Sequence, residues 1–296
     1  MKTKLTERLK NGEIIISDGA LGTMLQSAGI EPGTCPETWN IDFPEKIEAI
    51  AKAYADAGSE AVETNTFGAN RFKLSHYGLQ NQVTELNRKA VEITRRAIGP
   101  DKIVLGSVGP TGVLLMMGEV SEDELYEAFS EQCIALASAG ADAICIETMT
   151  ALDEATLAVK AAKENTNLEV ICTMTFDKTI QGDFRTMMGV SPEEMTHVLI
   201  AAGADIIGTN CGNGMENMIP IVEEIRRTNS GIPILVHANA GKPHYHDGKN
   251  IFDETPEITA SYIPRLINAG ATCIGGCCGT TPDHIRKIKQ VSENII

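Results

Sequence analysis

The sequence has few basic side chains, few aromatic side chains and no long uninterrupted apolar run. Its 25 Lys and Arg residues are outnumbered by 40 Asp and Glu residues, which gives a formal net charge of −15. Nucleic acids and anionic membrane surfaces are bound through basic patches, so this charge argues against both as partners. An aromatic share of 4% within a hydrophobic share of 43% predicts a large core packed mainly by aliphatic side chains.

The sequence also lacks a recognisable secretion signal and a membrane-spanning segment. Residues 1–12 carry charges throughout and have no apolar centre. No apolar run reaches the roughly 20 residues that cross a bilayer. We therefore expect a cytoplasmic protein. In that compartment, eight cysteines are more typical of metal binding or catalysis than of a disulfide framework.

Eight short apolar runs, each closed by Gly, Asn, Thr, His, Met or an acidic residue, predict β-strands. They cover residues 13–18, 60–65, 102–106, 142–147, 169–174, 205–209, 233–237 and 272–275. Segments with helical spacing lie between them, for example 44–57 and 121–139. Ser121 and Glu124 predict a capping box, and Ser191 before Pro192 predicts a second helix start.

An Ala-Gly pair that closes a helix and opens a strand recurs at Gly58, Gly140, Gly203 and Gly270. Glycine suits the left-handed residue that ends a helix. Repeated alternation of helices with buried strands indicates a parallel sheet, and eight such units fit a single-domain (β/α)8 TIM barrel over residues 1–296. Residues 1–12 are expected to be an N-terminal extension or helix. Residues 29–43 are expected to be a long loop on the side where barrel active sites form.

The most informative motif is Gly275 to Thr280, in which Cys277 and Cys278 are adjacent and follow the eighth predicted strand. Cys211 occupies the matching end of the sixth strand. Thiolates are preferred zinc ligands, and three protein ligands with one open position are typical of catalytic zinc. The three glycines of the motif are expected to give the backbone the freedom for neighbouring cysteines to bind one ion. We predict one Zn²⁺ held by Cys211, Cys277 and Cys278; the alternative is that the vicinal pair are ordinary loop thiols.

The other cysteines and two histidines have simpler interpretations. Four cysteines fall inside helix or strand patterns and are expected in the core, namely Cys133, Cys145, Cys172 and Cys273. Cys35 is left unassigned. His244 and His246 have the spacing of metal ligands, but in a polar loop they are more typical of solvated side chains.

Five motifs together resemble the homocysteine S-methyltransferase family. They are Asp18 to Thr23, Glu63 to Gly68, Asn210 to Gly212, Asn239 to Pro243 and Gly275 to Pro282. The likeness runs from about Glu13 to the last helix and is greatest to the homocysteine-binding module of cobalamin-dependent methionine synthase. It implies a zinc-dependent barrel that transfers a methyl group to L-homocysteine and forms L-methionine.

The resemblance also assigns the substrate site. It implies that Glu147 accepts hydrogen bonds from the α-ammonium group, with Asp18 as a second acceptor; the alternative for Glu147 is a structural strand-end carboxylate. A separate hypothesis, not implied by the resemblance, is that Asn239 offers zinc a neutral oxygen before substrate arrives; the alternative is a hydrogen bond that shapes the loop before Pro243. The backbone amides expected to hold the substrate carboxylate are those of Gly19, Ala20 and Leu21.

The methyl donor is less well specified than the acceptor. On the acceptor side, only the thiolate of homocysteine can attack a methyl group, and binding of its sulfur to zinc would displace the thiol proton. The resemblance favours methylcobalamin carried on a separate protein or domain, with S-methylmethionine or S-adenosylmethionine second and a betaine third. Met116–Met117 and Met187–Met188 either form an apolar rim for the corrinoid or pack as ordinary loop residues.

Two further functions stay open at the level of the sequence. The first is a barrel hydrolase or lyase in which zinc-bound water is the nucleophile and Asp18 or Glu147 is the base. Three thiolates donate more charge than the histidine-rich ligand sets typical of water activation, which argues against it. The second is a zinc-dependent homocysteine binder without catalysis.

Overall fold

The computed structural model describes residues 3–246 and 249–295. Eight strands that run parallel to one another recur along the chain, and all eight were predicted. They are β1 (Ile15–Ile16), β2 (Ala61–Glu63), β3 (Ile103–Val108), β4 (Ala143–Met149), β5 (Glu169–Met174), β6 (Ile206–Gly214), β7 (Ile234–Asn239) and β8 (Cys273–Gly276). Two short antiparallel pairs lie outside this set, Asp177–Lys178 with Phe184–Arg185 and His244–His246 with Lys249–Ile251.

Helices flank and connect the strands, and most of them cover the outside of the sheet. They are α1 (Leu5–Lys10), α2 (Gly22–Ser27), α3 (Trp39–Asp42), α4 (Pro44–Ala57), α5 (Arg71–Ser75), α6 (Val83–Ile98), α7 (Glu122–Ser138), α8 (Leu152–Asn165), α9 (Pro192–Ala202), α10 (Met215–Thr228), α11 (Pro256–Ser261), α12 (Ile263–Ala269) and α13 (Pro282–Glu293). Among the described residues, none of these helices has the length and apolarity needed to cross a membrane.

The sheet closes on itself as a (β/α)8 barrel. Each strand from β2 to β7 pairs in parallel with the next one along the chain, and β8 pairs with β1. A parallel bridge between Ser17 and Ala61 then joins β1 to β2 and completes the ring. The predicted fold is confirmed. Because every strand points the same way, the carboxyl ends of all eight meet at one mouth.

The helix-ending and helix-starting signals behave as predicted. Gly58, Gly203 and Gly270 are left-handed residues directly after α4, α9 and α12, with φ between 102° and 114°. Ser121 and Glu124 form the reciprocal capping box at the start of α7. The Ser191 side chain accepts a hydrogen bond from the Glu194 N–H at the start of α9. These local signals set the length of each unit of the barrel.

The barrel interior is aliphatic and is closed at the amino ends of the strands by α1. Leu5 and Leu9 pack with Ile15, Leu105 and Leu235 in one interior cluster. The Glu169 carboxylate caps this helix, accepting hydrogen bonds from the Leu5 and Thr6 amides at 2.7 and 2.9 Å. The opposite end of the barrel is therefore the one left for a site.

The cysteines predicted for the core are fully buried. Cys145 and Cys273 lie inside the barrel, and Cys133 and Cys172 lie between the strands and the helices. Cys35, unassigned from the sequence, is also buried, beside Leu74, Val83 and Leu86.

The prediction of a loop over residues 29–43 was wrong in part. The segment contains a 3-10 turn, Pro36–Thr38, followed by α3. Side chain to backbone hydrogen bonds hold it in place: Glu37 accepts from the Gly68 N–H at 2.6 Å, and Asn40 donates to the Asn65 carbonyl at 2.8 Å. Such long-range bonds are invisible to a pattern of turn-forming residues.

Candidate metal centre and substrate pocket

Three cysteines from two strands meet at the mouth of the barrel. Cys211 belongs to β6, and Cys277 and Cys278 follow the end of β8. Their three Sγ atoms all lie within 4.8 Å of one another. Zn–S bonds of about 2.3 Å in a tetrahedral site put sulfurs roughly 3.8 Å apart, so this thiol cluster is the right size for one zinc ion. The structure brings together the three residues that the sequence had proposed as ligands.

Cys211 adopts a backbone conformation that is rare for a residue with a side chain. Its φ is 60°, and that of the following Gly212 is 72°. The register between β6 and β7 shifts between Asn210 and Gly214, so the strand bulges at this point. A non-glycine residue in the left-handed region costs of order 1–3 kcal/mol, and such strain is concentrated at functional sites.

The glycines around the vicinal cysteines act differently from the prediction. Only Gly279 has a positive φ, 81°. Gly275 is needed for space instead, because a Cβ there would lie 2.5 Å from the Asp18 carbonyl oxygen and 2.9 Å from His237 Cδ2. Gly276 likewise has no room for a side chain beside Thr280. The prediction of backbone freedom at all three glycines was therefore wrong for two of them, where close packing decides the residue.

Hydrogen bonds fix the backbone that carries the cysteine pair. Gly276 N–H donates to the Asp18 carbonyl at 2.8 Å, and Cys277 N–H donates to the Ala238 carbonyl at 2.7 Å. The Cys278 carbonyl accepts from the Ala240 N–H at 3.0 Å. The pair is thus held between the carboxyl ends of β1 and β7 before any ligand arrives, which is the preorganisation that a metal site requires.

The thiols share their protons unequally. The Cys277 and Cys278 thiols donate hydrogen bonds to the Cys211 sulfur and lower its pKa to about 3. The same contact raises the pKa of Cys278 to about 12 and that of Cys277 well above its ordinary value. Three sulfurs gathered around one negative charge form a site suited to a soft cation, which would replace the shared protons.

Asn239 lies at the end of β7, beside the thiol cluster. Its side chain also contributes a hydrogen bond that lowers the pKa of Cys211. The residue is 1% exposed, and its Oδ1 atom has no hydrogen-bond partner among the described residues. A buried oxygen acceptor that has no hydrogen-bond partner and lies beside three thiols is consistent with a cation-binding site.

Two of the predicted substrate ligands, Asp18 and Glu147, are buried carboxylates at the same mouth. Asp18 accepts hydrogen bonds from the Glu63 N–H at 2.9 Å and the Ser17 hydroxyl at 3.2 Å. Glu147 accepts from the Ser107 hydroxyl at 2.5 Å and from Asn210 Nδ2 at 3.4 Å. Burial raises the pKa of each to about 7, and the charge of Asp18 adds to the effect on Glu147.

A third carboxylate, Glu63, joins them and was not proposed as a site residue from the sequence. Burial, followed by the charges of Glu147 and Asp18, raises its pKa well above the ordinary value. We call Asp18, Glu63 and Glu147 the acidic pocket. Glu63 ends β2 as Glu147 lies near the end of β4, so the rule that singled out strand-end acids could have found it.

The turn proposed to bind the substrate carboxylate is already partly occupied. The Ala20 N–H donates to Thr280 Oγ1 at 3.0 Å, and the Tyr54 hydroxyl donates to the Ala20 carbonyl at 2.7 Å. An anion at this turn would depend on the amides of Gly19 and Leu21. Its carboxylate-binding role stays a prediction.

Two further groups of candidates, His244 and the rim methionines, have exposed side chains. His244 is exposed, with Nδ1 3.9 Å from an Asp253 carboxylate oxygen, and it is not a member of the cluster. The position of the His246 side chain falls outside the described part of the chain. The four rim methionines are solvent-exposed: Met116 is 73%, Met117 65%, Met187 75% and Met188 38% exposed.

Fold and site together define a (β/α)8 barrel with a candidate thiolate metal centre and an acidic pocket at the carboxyl ends of its strands. The family match extends over residues 15–292. The chain belongs to the homocysteine S-methyltransferase family.

Two relatives that are similar over almost the whole of this chain agree with this assignment. Methionine synthase of Mycobacterium tuberculosis is 32% identical over 305 residues, and that of Mycobacterium leprae is 31% identical over 309 residues. These alignments cover 95% and 97% of this chain, which spans only about a quarter, 25%, of either relative.

The barrel also superimposes on a solved structure. The metallated form of the homocysteine methyltransferase MmuM from Escherichia coli matches with a TM-score of 0.80, covering 96% of this chain and 98% of that one. The identity is 24%, so this comparison establishes a shared fold.

Proposed function

We propose that this chain transfers a methyl group to the thiolate of L-homocysteine, with zinc bound by Cys211, Cys277 and Cys278, and releases L-methionine. The observation that carries the proposal is the juxtaposition of the thiol cluster with the acidic pocket. A thiol-binding centre and a cation-binding pocket at one barrel mouth match the two ends of an amino acid that carries a thiol.

The acidic pocket would hold the amino group of the substrate. Asp18 and Glu147 are acceptors, and no Lys or Arg side chain of the described residues forms an ion pair with either. An α-ammonium group would supply the missing positive charge and lower the pKa of both acids again. Charge-assisted hydrogen bonds of this kind are worth roughly 1.5–3 kcal/mol each.

The thiol cluster would hold the zinc ion, with Asn239 beside it as a neutral oxygen donor. Bound zinc would supply Lewis acidity that keeps the substrate sulfur deprotonated at neutral pH. The protein contributes the ligand geometry: the β6 bulge at Cys211 and the hydrogen-bonded loop at Cys277 orient the sulfurs in advance.

The methyl donor that we favour is methylcobalamin on a separate protein or domain. Two features support a bulky donor. The methionines at 116, 117, 187 and 188 leave apolar side chains exposed on loops that follow β3 and β5, where a second macromolecule could cover the mouth. The methionine synthase relatives are about four times longer than the part aligned with this chain.

A small-molecule onium donor, S-methylmethionine or S-adenosylmethionine, is the second candidate. The observation in its favour is that MmuM, a homocysteine methyltransferase, has almost the same length as this chain, and 98% of the MmuM chain is covered by the superposition. Such a donor requires an aromatic, apolar pocket within the chain. Phe67, on the loop after β2, is 38% exposed and packs against Gly109, and its ring could form part of such a pocket.

The test is an assay of methionine formation from homocysteine with each donor in turn, on protein of measured zinc content. We expect close to one zinc per chain and turnover with a methylated corrinoid protein. Turnover with S-methylmethionine alone would select the second candidate. Zinc-loaded protein that binds homocysteine but turns over no donor would reject catalysis.

A further inference from the structure

Glu63 of the acidic pocket lies beside His237, and each of the two has an unsatisfied polar atom. Glu63 Oε1 is 3.5 Å from His237 Nδ1, too long for a strong hydrogen bond. Glu63 Oε1 and His237 Nε2 are both buried and have no hydrogen-bond partner among the described residues. His237 itself is 1% exposed. Buried polar atoms without partners are rare and call for an explanation.

The groups around Glu63 are almost all acidic. Asp18 and Glu147 act on it through their charges, and the buried thiol of Cys145 contacts it. Cys273 is a second buried thiol that interacts with both Glu63 and Asp18. Among the described residues, the basic side chain beside Glu63 is His237, and burial lowers its pKa to about 4, so it stays neutral. In the part of the chain that the structure describes, the acidic pocket and His237 together therefore contain three carboxyl groups and no cationic side chain.

We propose that Glu63 is a third ligand of the substrate α-ammonium group, neutral in the empty pocket and ionised when the ammonium is bound, with His237 as the positioning residue behind it. The inference rests on the proposed function, because it takes an amino acid as the ligand. It makes the amino group a specificity determinant: a thiol without an ammonium cannot stabilise the third negative charge.

The proton balance of this step is simple. On binding, the Glu63 carboxyl group releases one proton to solvent, the substrate ammonium keeps its three protons, and no other bond changes. The acceptor thiol releases its own proton separately. Homocysteine should therefore release more protons than 4-mercaptobutyrate, which carries the same thiol and carboxylate but no amino group.

The experiment counts protons released on binding to the zinc-loaded chain at pH 8, by calorimetry in buffers of different ionisation enthalpy. This pH is above the pKa of about 7 of Asp18 and Glu147, so both are mostly ionised before the ligand binds. Most of the difference in proton release between the two ligands is therefore assigned to Glu63. We expect homocysteine to release up to one proton more than 4-mercaptobutyrate. Equal release by the two ligands would overturn the inference, and this measurement needs no variant to fold.

The matched variants are Glu63→Gln and Glu119→Gln. Glu119 is an exposed acid on the loop after β3, so its substitution is the same chemical change outside the pocket. Glu63→Gln should abolish the extra proton and reduce the affinity ratio of homocysteine to 4-mercaptobutyrate about tenfold. Glu119→Gln should behave as wild type. An unchanged proton difference in Glu63→Gln would refute the role of Glu63.

The outcomes separate the two levels of the argument. Wild-type protein that binds neither thiol would refute the proposed function itself. Wild-type protein that binds both, with the same proton release for each, would leave the methyltransferase proposal intact and remove only the role given to Glu63.

Discussion

Replacing Glu147 by glutamine should stabilise the metal-free protein at alkaline pH while weakening its affinity for homocysteine. Burial raises the pKa of this carboxyl from 4.5 to about 7. A folded-state pKa above the unfolded value means that the folded protein favours the protonated acid. The stability associated with this group is therefore fully present below pH 4.5 and is lost as the pH rises to 7.

The size of the effect follows from the shift. At about 1.4 kcal/mol per pH unit, the rise from 4.5 to about 7 corresponds to roughly 3 kcal/mol of unfolding free energy. Glutamine cannot ionise, so it avoids this loss, but its amide cannot accept from both Ser107 and Asn210, which costs about 1 kcal/mol. We expect Glu147→Gln to be about 2 kcal/mol more stable than wild type at pH 8 and no more stable at pH 5.

The assay is urea unfolding of the reduced, metal-free protein at pH 5 and pH 8, with Glu119→Gln as the control for loss of a carboxylate at the surface. Homocysteine binding to the zinc-loaded variant should be at least tenfold weaker, because one charge-assisted hydrogen bond is lost. If the stability of Glu147→Gln fell between pH 5 and pH 8 by as much as that of wild type, the reasoning about buried charge would be refuted.

Three further predictions concern the metal centre and the barrel. Cys211→Ala should lose nearly all bound zinc by metal analysis, whereas Cys133→Ala, a buried cysteine outside the cluster, should keep it; equal loss in both would contradict the ligand assignment. Gly275→Ala should destabilise the protein by at least 1–3 kcal/mol and reduce zinc content, because the new Cβ has no room; a fully zinc-loaded, wild-type-stable variant would contradict this. Leu9→Ala should cost about 2–5 kcal/mol in urea unfolding yet leave the zinc content of the folded protein unchanged, since α1 closes the end of the barrel remote from the cysteines.

The barrel could be predicted because its signals are local. An Ala-Gly pair marks the end of a helix whatever surrounds it, and a short run of β-branched residues marks a buried strand. The eight strands and the left-handed residues at Gly58, Gly203 and Gly270 follow from these signals alone. The segment 29–43 did not follow, because its order depends on bonds from Glu37 and Asn40 to residues about 25 to 31 positions away.

The site was predictable where one chemistry dominates and unpredictable where packing does. Adjacent cysteines among glycines, with a third cysteine at a matching strand end, predicted a cluster that the fold brings within 4.8 Å. Glu63 ends a strand much as Glu147 does, so the strand-end rule marks it as a candidate, but the sequence does not show whether such a glutamate faces a pocket or solvent. The reason for Gly275 could not be predicted either, since the atoms that exclude a side chain there belong to the residues just after β1 and to His237 on β7.

The two halves of the pocket come from opposite halves of the chain. The carboxylates lie just after β1 and on β2 and β4, whereas the sulfurs lie on β6 and just after β8. A ligand that binds both the carboxylates and the sulfurs would cross-link the two sides of the barrel. It would oppose any local unfolding that separates the first four strands from the last three. A ligand bound at both groups should therefore slow proteolysis and raise the melting temperature more than a ligand bound at either group alone. The melting temperature would then report whether a ligand contacts both groups.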